Sequence, residues 1–222
     1  MKLSKRRSAD MSPRNHEQSG ETKELLLKAA RAEFLEKGYT KASLRKICAD
    51  AGVTTGALYF FFKDKEDLFA SIVEKPYRGL VAALEEHFEF DSHVAADYTQ
   101  QEGDHDDLAR MLVHHLYSNR EAFLLLLTRA HGTSYENAVD EVVELMESSY
   151  HVMAKQMASA HPGTKVNEYM LHWLTHMNID AFIHLLTHEC DEAKAIEHMS
   201  QIMDYIVTGW TKMILIPDET QK

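Results

Sequence analysis

Cysteine is scarce: the 222 residues contain two, Cys48 and Cys190, far apart in the chain. Neither a CxxC pair nor a Cys/His pairing of zinc-site spacing occurs, which argues against a disulfide framework and a structural zinc module and favours a reducing compartment. No apolar run approaches the roughly 18 to 20 residues of a membrane-spanning helix. The basic start, Lys2, Lys5, Arg6 and Arg7, is followed by no apolar stretch, so the second element of a secretory signal is missing and a cytoplasmic location is expected. Signatures of catalysis are lacking as well. HExxH, GxGxxG, a P-loop and a Ser or Cys nucleophile signature do not occur, nor do the two Glu-x-x-His motifs, one on each of two helices, that carboxylate-bridged di-iron bundles use. We therefore expect no catalytic residue, metal centre or cofactor. An all-helical metal-dependent enzyme and a helical protein-interaction module are the alternatives to the reading developed below.

What is present suits an ordinary folded chain. Hydrophobic residues make up 45% and charged residues 27%, which is enough for a buried core without staples. The net charge of −11 conceals a division. Residues 1–65 hold 14 Lys+Arg against 8 Asp+Glu, whereas residues 66–222 hold 10 against 27. Only the first segment suits phosphate, because neutralising phosphates releases condensed counterions.

Periodicity predicts helices almost throughout. Residues 1–20 are polar, basic and aperiodic, and read as a flexible arm. Thr22 caps a first helix, about Lys23 to Lys37, carrying Leu26, Ala29, Ala30 and Phe34 and stopping at Gly38. A second runs from about Ser43 to Ala51, and Gly52 ends it. Thr54 caps a third, Thr55 to about Phe61. From Asp64 a helix extends to about Phe90, interrupted at Pro76, where a kink is expected.

Residues 91–103 read as a long loop. Helices follow at about Asp104 to Tyr117, from a cap at Asn119 through Leu127 to a break at His131-Gly132, at Glu136 to Ala160, Val166 to Cys190 and Glu192 to Ile216. No strand-like alternation stands out.

The most informative segment is Ala42 to Leu68, ASLRKICADAGVTTGALYFFFKDKEDL. Ile47, Ala51-Gly52-Val53-Thr54, Gly56, Leu58-Tyr59, Phe62, Lys65-Glu66 and Leu68, preceded by Phe34 and Lys37-Gly38-Tyr39, resemble the DNA-binding domain of the tetracycline-repressor (TetR) family over about residues 20–70. Two departures stand out. Ala42 occupies a position where relatives usually have Thr, which leaves capping and phosphate contact to Ser43. Phe61 stands where relatives often have His or Tyr, and it cannot donate a hydrogen bond.

The roles also follow from chemistry. Gly52 permits a tight turn, Val53 plugs the space between two helices, and the Thr54 hydroxyl can cap the next helix or bond a phosphate. Small residues at Thr55, Gly56 and Ala57 let a short helix approach the major groove. Tyr59 and Lys65 suit phosphate, while Thr55 and Phe60 suit base edges or thymine methyl groups. Three aromatics in a row cannot all face inward, so Leu58 and Phe62 are assigned to the core. Lys5, Arg6 and Arg7 form either a solvated arm or a minor-groove contact.

The resemblance implies an all-α fold in which the third helix enters the major groove and Tyr59 and Lys65 touch the DNA backbone. A larger helical domain would bind an effector and dimerise through its last two helices. The expected boundaries are an arm at 1–20, a helix-turn-helix domain at 21–67 and an effector and dimerisation domain at 68–222. Partners would be an operator duplex, a second copy of the chain and an unidentified small-molecule effector.

In the last helix Ile196, Met199, Met203, Ile206, Trp210 and Met213 follow a 3, 4, 3, 4, 3 spacing, and with Met170 and His184 they form the expected dimer seam. His115, Phe123, His151, Trp173 and Met177, which combine apolar surface with polar or adaptable tips, are the expected pocket residues, with His114, Tyr117, Tyr150 and Met153 beside them. His172, His176, Asp180, His184 and His188 form a ladder in steps of four. Each step drifts about 40° around a helix, so the five cannot share one metal site, and flanking the dimer interface is the simpler role. Metal sensing by neighbouring pairs and pH-dependent dimer stability stay open.

Overall fold

The computed structural model describes residues 13–94 and 104–219, with side chains described for 19–88 and 107–219. The contacts divide the chain into two compact units, with the boundary between Ile72 and Val73. The first unit begins with α1 (Pro13–Lys41), which buries Leu26, Leu27, Ala30 and Phe34. Residues 13–20, expected to belong to the flexible arm, are helical. Proline is tolerated in a first turn and nothing from Arg14 to Ser19 breaks a helix, so polar sequence alone did not mark the start. Lys5, Arg6 and Arg7 lie outside the described residues.

At Gly38 the backbone takes φ 74° and ψ 160°, a conformation open chiefly to glycine, and a last turn follows to Lys41. Two short helices come next, α2 (Leu44–Asp50) and α3 (Thr55–Phe61). The turn between them depends on Gly52 at φ 68°. Val53 N–H donates to Cys48 O at 2.9 Å and carries the chain out of α2.

Helix α4 (Lys65–Val94) starts in the first unit and continues into the second. Its start is capped from both sides: Asp67 N–H donates to Asp64 Oδ1, and Asp67 Oδ2 accepts from Lys63 N–H, each at 2.8 Å. Contrary to the expected interruption, the helix is unbroken through Pro76.

The second unit adds α5 (Asp104–Ser118), α6 (Arg120–Arg129), α7 (Ala138–Ala160), α8 (Glu168–His188) and α9 (Glu192–Met213). Asn119 precedes α6 without capping it. Its amide instead reaches back to donate to His115 O at 2.9 Å. Two three-residue strands were not anticipated. β1 (Thr164–Val166) pairs antiparallel with β2 (Leu215–Pro217), Lys165 opposite Ile216. This ribbon ends α9 at Met213, and Ile214, Leu215 and Ile216 belong to its exit although they extend the apolar pattern of the helix.

One apolar cluster joins Ala109 and Val113 of α5, Leu185 of α8 and Ala195 and Met199 of α9. A larger one gathers Leu84, Phe88, Leu112, Met153, Leu171, Leu174 and Trp210 from five helices. Among the described residues no helix is long and apolar enough to cross a membrane.

Candidate functional site

The exposed part of the first unit is built around α3. Thr54 Oγ1 accepts from Ala57 N–H at 3.2 Å, so the cap seen in the sequence forms and fixes where the helix begins. Leu58 and Phe62 are 0% and 1% exposed, which anchors one side of the helix in the core. Tyr59 and Phe60, by contrast, are 55% and 74% exposed. Thr55 and Gly56 are exposed at the N-terminal end. Two large aromatic rings thus stand in solvent on a short helix whose other side is anchored in the core.

Helix α2 is fixed by a residue that sequence reasoning missed. Glu33 of α1 is buried and its Oε1 accepts from Ser43 N–H at 3.0 Å, while Ser43 Oγ accepts from Lys46 N–H at 3.4 Å. Ser43 thus caps α2, as expected once Ala42 replaces the usual threonine. A buried glutamate ten positions upstream carries no local signal. The side chain of Lys46 is paired to Asp50.

Lys65, expected to touch phosphate, is engaged within the first unit. Its Nζ donates to Tyr39 O at 2.7 Å, Thr40 O at 3.3 Å and Ala42 O at 3.4 Å, and lies 4.5 Å from the centre of the Tyr39 ring. The ammonium thus meets three carbonyls where α1 ends, among the acceptors that a helix terminus leaves without a full set of helical partners. Tyr39 packs edge-on against Phe69 at 5.5 Å. Burial, reinforced by a hydrogen bond with Glu66, pushes its phenol up to about 12. Lys65 therefore ties the start of α4 to the end of α1.

In the second unit a cavity of about 100 Å³ lies among α4 (Tyr77, Leu80, Leu84), α5 (Leu112, Leu116), α6 (Phe123, Leu126, Leu127), α7 (Ala138, Val139, Val142, Met146) and α8 (Ile179, Phe182, Ile183, Leu186). Of the expected pocket residues only Phe123 lines it. His115 sits behind Phe123, ring centres 5.6 Å apart, and its Nε2 donates to Pro76 O at 2.8 Å. His151 is on the surface of α7, 3.4 Å from the Glu168 carboxylate. Trp173 is exposed on α8, and half-buried Met177 does not reach the cavity wall.

The His115 ring lies tight against α4. A methyl group at Gly79 would stand 2.9 Å from His115 Cε1 and 3.3 Å from Nε2. Gly79→Ala is expected to turn this imidazole away from Pro76 O. The lost hydrogen bond, about 1 kcal/mol, is offset by the similar gain in helix propensity. The melting temperature should stay within about 3 °C while the His115 ring resonances shift; unshifted resonances would contradict the contact.

The expected dimer seam is divided. Met199, Ile206 and Trp210 are buried within their own chain, and Ile196 and Met203 pack partly against the same core, so this stripe of α9 faces inward. Its apolar spacing reflects the core of one protomer. The exposed apolar surface lies elsewhere on α8 and α9, at Tyr169, Trp173, Tyr205 and Met213, with Met170 and Gly209 between them. The histidine ladder is exposed along α8. His172 Nδ1 is 3.1 Å from Glu147, and the His184 and His188 rings stack at 4.3 Å. Among the described residues no three His, Cys, Asp or Glu side chains converge as a metal site.

A short helix set by a capped glycine turn and presenting one face to solvent defines a helix-turn-helix protein. Residues 26–72 match the model of the bacterial regulatory proteins, tetR family. The chain is 47% identical over 60 residues to the HTH-type transcriptional repressor BepR of Brucella suis, covering 27% of this chain and 29% of that protein. With the HTH-type transcriptional regulator AcrR of Shigella flexneri the identity is 41% over 64 residues, 29% of this chain and 30% of the relative. These matches thus span less than a third of each relative.

The fold extends the likeness. NalD of Pseudomonas aeruginosa, the secondary repressor of the MexAB-OprM multidrug efflux pump, superposes with a TM-score of 0.53 over 85% of this chain and 96% of its own, at 25% identity. A TerR/AcrR-family transcriptional regulator from Aquifex aeolicus gives 0.55 over 83% and 99%, at 20% identity. Residues 26–72 thus match the helix-turn-helix domain of the tetR family, and the chain shares the fold of these solved regulators.

Proposed function

We propose that the protein is a DNA-binding transcriptional regulator that grips a palindromic operator as a homodimer and lets go when a small effector occupies the second unit, with repression as the usual direction. The observation that carries this reading is the two-sided character of α3, with Leu58 and Phe62 sealed in the core and Tyr59 and Phe60 held in solvent beside the open Thr55-Gly56 end. Thr55, Gly56, Ala57 and Phe60 would meet base edges, and Tyr59, Ser43 and the hydroxyl of Thr54 would meet phosphates. Lys5, Arg6 and Arg7 would add charge near the duplex.

The exposed Tyr169, Trp173, Tyr205 and Met213 would join two copies through α8 and α9, with Met170 and His184 at or beside the contact. Two recognition helices related by a two-fold axis read half-sites about one helical turn apart. Effector occupancy favours a state in which that spacing is wrong, and α4, a helix common to both units, is the covalent path between them.

Selection from a randomised duplex library tests this reading. Inverted repeats with half-site centres about 10 base pairs apart, or a multiple of that, are expected. Enrichment of sequences without two-fold symmetry would overturn the dimeric operator.

A further inference from the structure

The cavity wall specifies the chemistry of an occupant. Among the described residues no nitrogen or oxygen atom contributes to its surface. Leu84, Leu112, Phe123, Val142, Met146 and Ile183 offer carbon and one thioether sulfur from five helices. Tyr77, the one described lining residue with a polar tip, turns its hydroxyl aside, donating to Glu141 Oε2 at 2.5 Å, so that only its ring remains for a ligand. Burial and that carboxylate raise the phenol above its ordinary range, which keeps the donor in place.

A carboxylate or ammonium entering such a space would surrender its hydration and find no hydrogen-bond partner. A hydrocarbon surrenders nothing and gains close contacts on every side. The volume of about 100 Å³ is somewhat below the roughly 150 Å³ at which an apolar engineered cavity takes up benzene, and Met146, unbranched and adaptable, can yield room for one ring with a small substituent.

We propose that this cavity binds small, uncharged, mostly hydrocarbon molecules about the size of one substituted aromatic ring, held by packing alone. This names the effector chemistry of the release mechanism above and rests on that mechanism for its regulatory meaning. Binding excludes anionic and cationic analogues of the same ring.

Calorimetric titration and thermal shift of the full chain with toluene, benzoate and benzylamine test it. Toluene is expected to bind with a negative heat-capacity change and to raise the melting temperature, while the two charged analogues bind at least about 100-fold more weakly. Val142→Phe should fill the space and abolish toluene binding. Because overpacking can unfold a core, Leu112→Ala is measured beside it and should shift preference from toluene towards naphthalene by about tenfold.

Benzoate binding as tightly as toluene, or toluene binding unaffected by both substitutions, would overturn the proposal. The library-selected duplex is followed in the same samples. Toluene that binds without releasing DNA upholds the ligand class and removes the release mechanism. DNA binding retained with toluene unbound removes the ligand class alone.

Discussion

Lys65→Ala is expected to loosen the first unit before it weakens any contact with phosphate. Its ammonium bonds three carbonyls at the end of α1 and lies over the Tyr39 ring. Hydrogen bonds from a charged donor contribute roughly 1.5 to 3 kcal/mol. Hydrogen-exchange protection in α1 to α3 should therefore fall by about 10- to 100-fold. Lys65→Met, which keeps the stem but not the charge, should behave alike. Lys63→Ala, at an exposed neighbouring cation, should leave protection unchanged and reduce only the salt dependence of duplex binding. If exchange were untouched in Lys65→Ala and DNA affinity alone fell, Lys65 would be a phosphate contact and not a tie between helices.

The second large effect separates two phenylalanines two positions apart. Phe60 is exposed and Phe62 is buried beside the stem of the same helix. Phe60→Ala should change stability by no more than about 0.5 kcal/mol, as surface substitutions do, yet weaken binding to a selected operator by about tenfold or more. Phe62→Ala should cost about 3 to 5 kcal/mol of stability. Circular dichroism melts and operator titrations on the pair check both. A Phe60→Ala protein with full operator affinity would remove that ring from the interface.

Local chemistry was legible in the sequence where it is local in space. Thr54 and Asp64 could be recognised as caps because each bonds an amide three residues on. The inward and outward halves of α3 followed from helical period alone. The tie that Lys65 makes within the first unit was not foreseen, because its partners lie 23 to 26 residues upstream, which no spacing rule reaches. Glu33 was overlooked for the same reason, since a buried acceptor for Ser43 N–H looks like any charged residue on a helix.

The second unit was harder to read. A stripe such as Met199, Ile206 and Trp210 has the same period whether it faces a core or another subunit, and only its packing against α5 and α8 shows that it faces inward. Pocket residues chosen for polar tips missed a cavity whose described wall exposes only carbon and sulfur, leaving Phe123 as the shared choice. The β1–β2 ribbon was invisible because three residues cannot display an alternation.

The most direct test is the affinity of the purified full chain for duplex DNA as salt rises from about 50 to 200 mM. A protein that neutralises six or more phosphates should lose roughly 1,000-fold or more over that interval. An affinity that does not change with salt, or no measurable binding in the most dilute buffer, would contradict a DNA-gripping role for α3.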